Sequence, residues 1–194
     1  MKNKHLDLGC GANPRNPYNA DELFGIDILE RHNSKLSNFT YKSANVILDK
    51  IPFDDNYFDS ISAYDFIEHI PRLIDINGKI VFPFIDLMNE IYRVLKPDGI
   101  LYAITPVYPK ESVFVDPTHV NFLTQNSHKY FTSPYNWASM YGFIGNFKKQ
   151  RSKIVNFSFE ESKDGLIKKS IKKFLIEINP RSKQHILWEF SAIK

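Results

Sequence analysis

The chain has 194 residues, 43% of them hydrophobic and 24% charged, which are the proportions of one folded domain of ordinary size. No apolar run approaches the ~20 residues a membrane-spanning helix needs, MKNKHLDLGCG enters a strand-like segment with no signal-peptide core, and the lone Cys10 excludes a disulfide framework or a zinc ribbon, so a reducing, cytoplasmic setting is expected. Charge is uneven: residues 1–147 carry 13 Lys/Arg against 17 Asp/Glu, a balance of −4, whereas residues 148–194 carry 12 against 5, a balance of +7.

His5–Leu8 reads as a short first strand running into the glycine turn Gly9-Cys10-Gly11, after which Pro14 and Pro17 break any long helix. Leu23–Leu29 (LFGIDIL) reads as a second strand with Asp27 near its end, and Tyr41–Leu48 as a third. Phe58–Tyr64 (FDSISAY) is a fourth, entered from the turn Asp54–Asn56. Within Ile85–Leu95, the apolar Leu87, Met88, Ile91, Val94 and Leu95 recur at helical spacing. Lys96-Pro97-Asp98-Gly99 stops that helix and turns the chain into a fifth strand, Ile100–Thr105. Phe147–Phe159 and His185–Ile193 read as two long strands, with a helical stretch at Leu166–Ile178 between them. Strands alternating with helices across short turns predict an α/β fold with a parallel, doubly wound sheet. Residues 1–194 show no repeat and no composition break, so a single domain is expected.

In such a sheet, ligands bind beyond the carboxyl ends of the strands, where strand order reverses. Asp7-Leu8-Gly9-Cys10-Gly11 stands at that place, and two residues without Cβ let the backbone approach a ligand closely. Asp27 follows Gly9 by 18 residues, the position of an acid that accepts both hydroxyls of a ribose. A dinucleotide site wants a third glycine and a helix to receive pyrophosphate, but here Pro14 holds the glycine's place and no good helix follows. S-adenosylmethionine carries no phosphate, and its ammonium and sulfonium suit an acid such as Asp7 near the turn.

Several segments together resemble the class I S-adenosylmethionine-dependent methyltransferases, in the right order: LDLGCG, FGIDI, IPFDDNYFDSISAYDFIEHI and EIYRVLKPDGILYAITP. The likeness covers residues 5–106 well and the remainder loosely. It implies a Rossmann-like, mostly parallel seven-stranded sheet with an antiparallel C-terminal strand. It further implies that Gly9 and Gly11 line the methionine portion of the cofactor with Asp7 near its amine. Asp27 would hold the ribose, Asp49, Lys50 and Ile51 would lie beside the adenine, and Tyr64 and Asp65 would lie near the methionine end. The family's N-terminal covering helices have no counterpart ahead of the first strand. A partner chain or a lid is therefore expected to enclose the cofactor, with residues 70–84 as a lid-like connection and 163–180 as a helical insert.

Asp65, Glu68 and His69 fall at i, i+3 and i+4, one face of a helix, and emerge over the same site. His119, in DPTHVNF after the fifth strand, is a fourth candidate, and two carboxylates with two imidazoles suit a divalent cation. The arrangement resembles ubiquinone-pathway O-methyltransferases and the enzymes that methylate the terminal ribose of small RNAs, where a metal holds vicinal hydroxyls of the acceptor. Without a metal, His69 or His119 is the expected general base. Asp116 and Thr118 are expected to fix their turn, and His5, His32, His128 and His185 to be ordinary packing or surface residues.

Leu166, Ile167, Ile171, Phe174, Leu175 and Ile178 alternate with Lys168, Lys169, Lys172 and Lys173. That pattern predicts a helix packed on the sheet with a solvated lysine face, peripheral membrane contact through 166–178 being the alternative. No RNA-binding motif is present, so a nucleic-acid partner is not expected. Tyr130, Tyr135, Trp137 and Tyr141 are candidates to line an acceptor pocket. The expected activity is methyl transfer to an oxygen or nitrogen of a small-molecule acceptor, a sugar or cell-surface precursor first and a hydroxylated aromatic second. The rival readings are a metal-dependent O-methyltransferase acting on vicinal hydroxyls (catechol-type or RNA ribose) and a non-catalytic cofactor-binding subunit.

Overall fold

The computed structural model describes residues 2–30, 38–160, 176 and 182–194. The amphipathic stretch 166–178 and the insert at 163–180 lie outside the described residues, apart from Ile176. Nine strands are described: β1 (Lys4–Leu8), β2 (Glu22–Asp27), β3 (Phe39–Ser43), β4 (Phe58–Tyr64), β5 (Ile74–Ile76), β6 (Lys79–Val81), β7 (Leu95–Pro106), β8 (Phe147–Val155) and β9 (His185–Ala192). Seven of them form one sheet in the order β3-β2-β1-β4-β7-β9-β8. β1 runs parallel to β2 and β4, β2 to β3, and β4 to β7, while β9 lies antiparallel between β7 and β8. This is the expected Rossmann-like sheet with its antiparallel C-terminal strand.

The central strands are buried on both faces, so their residues divide by alternation rather than by polarity. On β7, Leu101 and Ala103 join the main core, whereas Tyr102 and Ile104 face a smaller cluster with Tyr64, Val155 and Leu187. Helix α1 (Pro83–Val94) covers the main core, burying Phe84, Leu87, Met88, Ile91 and Val94, each worth about 1.5–3 kcal/mol in removed apolar surface. Proline at its first position sets φ for the helix without losing a needed donor.

The β1–β4 register places His5 opposite Ser60 and Asp7 opposite Ser62, making a polar row inside the sheet face. Ser62 Oγ donates to Asp7 Oδ1 at 2.6 Å, so it accepts from His5 Nε2 at 2.8 Å, and His5 Nδ1 in turn accepts from Ser60 Oγ at 2.7 Å. Burial drives the His5 pKa down to about 3, which keeps the ring neutral and the chain of hydrogen bonds complete.

Several element boundaries differ from expectation. β2 ends at Asp27, leaving Ile28 and Leu29 exposed, and β3 ends at Ser43 rather than Leu48. Residues 44–49 turn back instead, with Leu48 N–H and Asp49 N–H both donating to the Asn45 carbonyl. Lys96–Gly99 does end the helix, but as an irregularity within β7: Phe58 pairs with Leu95 and Ser60 with Ile100, and Asp98 takes φ +60°. β8 stops at Val155 because the Asn156 side chain accepts from Phe159 N–H and starts a helical turn, Phe157–Glu160. The connection 70–84 holds a hairpin, β5–β6, closed by Asn77-Gly78 with φ +53° and +79°, the left-handed pair that a tight two-residue turn requires.

Candidate functional site

At the carboxyl ends of β1, β2, β3 and β4 lies a crevice of about 300 Å³, lined by Gly9, Asp27, Asn45, Val46, Ile47 and His69 among others. It sits where β1 lies between β2 and β4 and the strand order reverses. Gly9 has φ +65° and donates its N–H to the Ile26 carbonyl at 2.9 Å, and a Cβ there would stand 2.5 Å from Phe66 Cδ2. Only glycine fits that bend. Gly11 N–H donates to Asp27 Oδ2 at 3.0 Å, which aims the carboxylate along the crevice wall.

A second group stands on the rim. Glu68 is 2% exposed; its Oε2 accepts from Thr105 Oγ1 at 2.7 Å, while its Oε1 is buried with no hydrogen-bond partner among the described residues. Burial pushes its pKa up to about 7, against the lowering effect of the Thr105 bond. One ligand atom each from Glu68, His69 and His119 lie within 4.8 Å of one another. His119 Nδ1 is 2.9 Å from the Val113 carbonyl, which only accepts, so Nδ1 carries the hydrogen and Nε2 presents a lone pair, 3.9 Å from Glu68 Oε1. Thr118 Oγ1 gives its hydrogen to Asp116 Oδ1 at 2.7 Å and so accepts from His69 Nδ1 at 2.9 Å, leaving His69 Nε2 basic as well. A buried carboxylate oxygen and the His119 Nε2 lone pair therefore face one another, with a ring nitrogen of His69 within 4.8 Å.

Comparison with known proteins decides the family: the model described as "Methyltransferase domain" matches residues 6–103, just over half of the chain. The chain belongs to the S-adenosylmethionine-dependent methyltransferases. Over 110 residues it is 30% identical to sterol 24-C-methyltransferase erg6 of Schizosaccharomyces pombe, a match covering 49% of this chain and a quarter of that protein's length. Its fold resembles phosphoethanolamine N-methyltransferase 1 of Haemonchus contortus, solved with phosphoethanolamine and S-adenosylhomocysteine (TM-score 0.62, 13% identity, 100% of this chain and 39% of that one). It also resembles an S-adenosylmethionine-dependent methyltransferase of Mesorhizobium loti (TM-score 0.57, 13% identity, 97% and 90%).

Around the crevice, the residues singled out from sequence separate. Gly9, Asp27 and Asp65 line it, and Gly11 reaches it through its bond to Asp27. Asp7 lies beneath at 1% exposure, accepting from Ser62 and from Arg15 N–H, so it braces the turn from below. Asp49 and Lys50 are exposed away from the lining, and Ile51 is core; Asn45, Val46 and Ile47 line the crevice instead, because β3 ends early and the chain turns at 44–49. Tyr64 faces the opposite side of the sheet, beneath the Arg15 guanidinium at 4.6 Å.

The helical face expected for Asp65, Glu68 and His69 does not form. Asp65 N–H bonds the Ile104 carbonyl at 2.9 Å and takes φ +44°, and the 3-10 turn covers only Ile67–His69. Asp65 Oδ1 lies 3.3 Å from His185 Nε2 and stands outside the three-residue cluster. His185 is thus a partly exposed residue that meets Asp65, a contact that sequence spacing does not show. Asp116 and Thr118 fix their turn, as expected, and also hold His69. Among the described residues no helix is long and apolar enough to cross a membrane.

Proposed function

We propose that this methyltransferase moves the methyl group of S-adenosylmethionine onto an oxygen or nitrogen of a small-molecule acceptor, with His69 as the base. The observation that carries the reading is that His69 lines the crevice with its Nδ1 hydrogen committed to Thr118, which leaves Nε2 as the ring's acceptor. In this reading Asp27 takes the ribose hydroxyls, the Gly9 bend lies against the methionine portion, and Asn45–Ile47 flank the adenine. The rest of the rate comes from holding the acceptor in line with the methyl–sulfur bond. The sterol and phosphoethanolamine enzymes act on unlike acceptors, so neither name carries an acceptor over to this chain.

Glu68, His69 and His119 support a second reading in which a divalent cation sits on the rim. A buried carboxylate oxygen without a partner, and two histidines whose outer nitrogens are each held by an acceptor, form the donor set and supporting contacts such an ion wants. A cation bound there supplies Lewis acidity to an acceptor hydroxyl.

Calorimetric titration with S-adenosylhomocysteine tests the first reading. Wild type is expected to bind, and Asp27→Ala to lose at least tenfold in affinity. Equal affinity would remove Asp27 from the site, and no binding by wild type would sink the reading. Binding without S-adenosylhomocysteine formation from S-adenosylmethionine, across hydroxyl and amine acceptors with and without Mn²⁺ or Zn²⁺, would favour a cofactor-binding subunit.

A further inference from the structure

Beyond the rim, between the β5–β6 hairpin, the start of α1 and residues 121–141, a second cavity of about 390 Å³ opens. Its volume is that of a small-ligand site. The wall is aromatic, built from Phe82, Phe84, Phe131, Tyr130 and Tyr141, with Leu73 at the edge. The two cavities are neighbours along the chain: His69 and Ile70 line the cofactor crevice, and Arg72 and Leu73 line this one.

Among its non-aromatic polar groups, the amide and the serine are engaged within the chain. Asn121, 1% exposed, donates its side-chain amide to the Ile67 carbonyl at 3.3 Å and its backbone N–H to the Glu68 carbonyl at 2.9 Å. Its Oδ1 accepts from Arg72 Nε at 2.8 Å. Ser127 Oγ accepts from Thr124 N–H. Arg72 is the exception. Its Nη2 donates to the Phe122 carbonyl, so two contacts hold the guanidinium, yet among the described residues no carboxylate pairs with it and Nη1 donates to nothing. A surface arginine gains little from being immobilised on a buried amide, because its rotamer entropy is lost for no ionic partner. The fixed fork makes sense when the anion comes from outside.

We infer that this cavity receives the methyl acceptor, and that the acceptor is an apolar ring body carrying a carboxylate that pairs with Arg72. Beside the phenols of Tyr130 and Tyr141, the three phenylalanines and Leu73 give a sugar's hydroxyls few partners, so most of them would be left unpaired. An aromatic acid fills the wall by area and the fork by charge. The role as acceptor rests on the methyl-transfer reading; the binding itself does not.

The probes are 2-naphthoate and its neutral counterpart 2-naphthylmethanol, titrated into the full chain by calorimetry, with folding of each variant checked by thermal melts. Wild type is expected to prefer the carboxylate at least tenfold. Arg72→Gln should abolish that preference while leaving S-adenosylhomocysteine affinity unchanged, and Leu73→Glu should weaken naphthoate at least tenfold and the alcohol far less. Equal affinity for the two probes in wild type, a preference that survives in Arg72→Gln, or failure of both probes to bind would each overturn the proposal. An intact naphthoate preference in a wild type that binds no S-adenosylhomocysteine would instead overturn the methyl-transfer reading and the acceptor role, leaving the carboxylate site standing.

Discussion

The hydroxyl of Thr118 holds the imidazole of His69, with Oγ1 2.9 Å from Nδ1. Because Asp116 Oδ1 takes the hydroxyl hydrogen at 2.7 Å, the direction of the His69 bond is set, and so is its tautomer. Thr118→Val keeps the shape and removes the bond. Long-range proton–nitrogen spectra at pH 8 should show His69 as the Nδ1–H tautomer in wild type and as a mixture in the variant. Turnover on an acceptor found by screening should fall, by at most the roughly 10²–10⁴-fold that a positioned base contributes. An unchanged tautomer in the variant would show that Thr118 does not orient the ring.

Gly9 and Phe66 are fitted to one another. A methyl at Gly9 must accept φ +65°, which costs about 1–3 kcal/mol, and must push into the Phe66 ring 2.5 Å away. Gly9→Ala should lower unfolding free energy by about 2–4 kcal/mol and abolish S-adenosylhomocysteine binding. Adding Phe66→Leu should relieve the clash but not the backbone strain, recovering part of the stability. A Gly9→Ala melt that matches wild type would refute the close fit.

His5 sets an acid limit on the fold. Its folded pKa, about 3, lies below the usual 6.5, so the unfolded chain takes up a proton that the native ring refuses. Stability from this source is therefore present above pH 6.5 and falls as pH drops toward 3, by about 1.4 kcal/mol per pH unit. Denaturant titrations between pH 7 and 4 should show that slope, and His5→Gln should flatten it. An equal slope in the variant would assign acid sensitivity to other groups.

Much of the fold was legible. β4 matches its expected bounds, Phe58–Tyr64, and α1 begins two residues before and ends one residue before the expected helix, because apolar spacing over a full strand or three helical turns is a strong signal. The crevice lining was legible where one residue and its own turn decide its place, as at Gly9 and Asp27. It was not legible where tertiary contacts decide. Ala44-Asn45-Val46-Ile47-Leu48 reads as strand, but Val46 is buried beside the crevice and Leu48 is exposed, and the Asn45 carbonyl collects the turn. Asp65 reads as the first residue of a helical face until the Ile104 carbonyl holds its N–H and His185 arrives from a strand far along the chain.

That difference at Asp65 separates two versions of the rim cation site. Sequence spacing makes Asp65 a ligand alongside Glu68, His69 and His119, whereas among the described residues the last three gather and Asp65 pairs with His185. Equilibrium dialysis of the chelator-treated chain against Mn²⁺ and Zn²⁺ should give one ion per chain. Glu68→Gln and His119→Ala should each weaken uptake by at least tenfold, the first by neutralising the buried oxygen and the second by removing a lone pair. Asp65→Asn should leave uptake unchanged. Loss of the ion in Asp65→Asn would show that the carboxylate swings from His185 to the metal on binding. No uptake by wild type would leave Glu68 as a buried acid and His69 as the base acting alone.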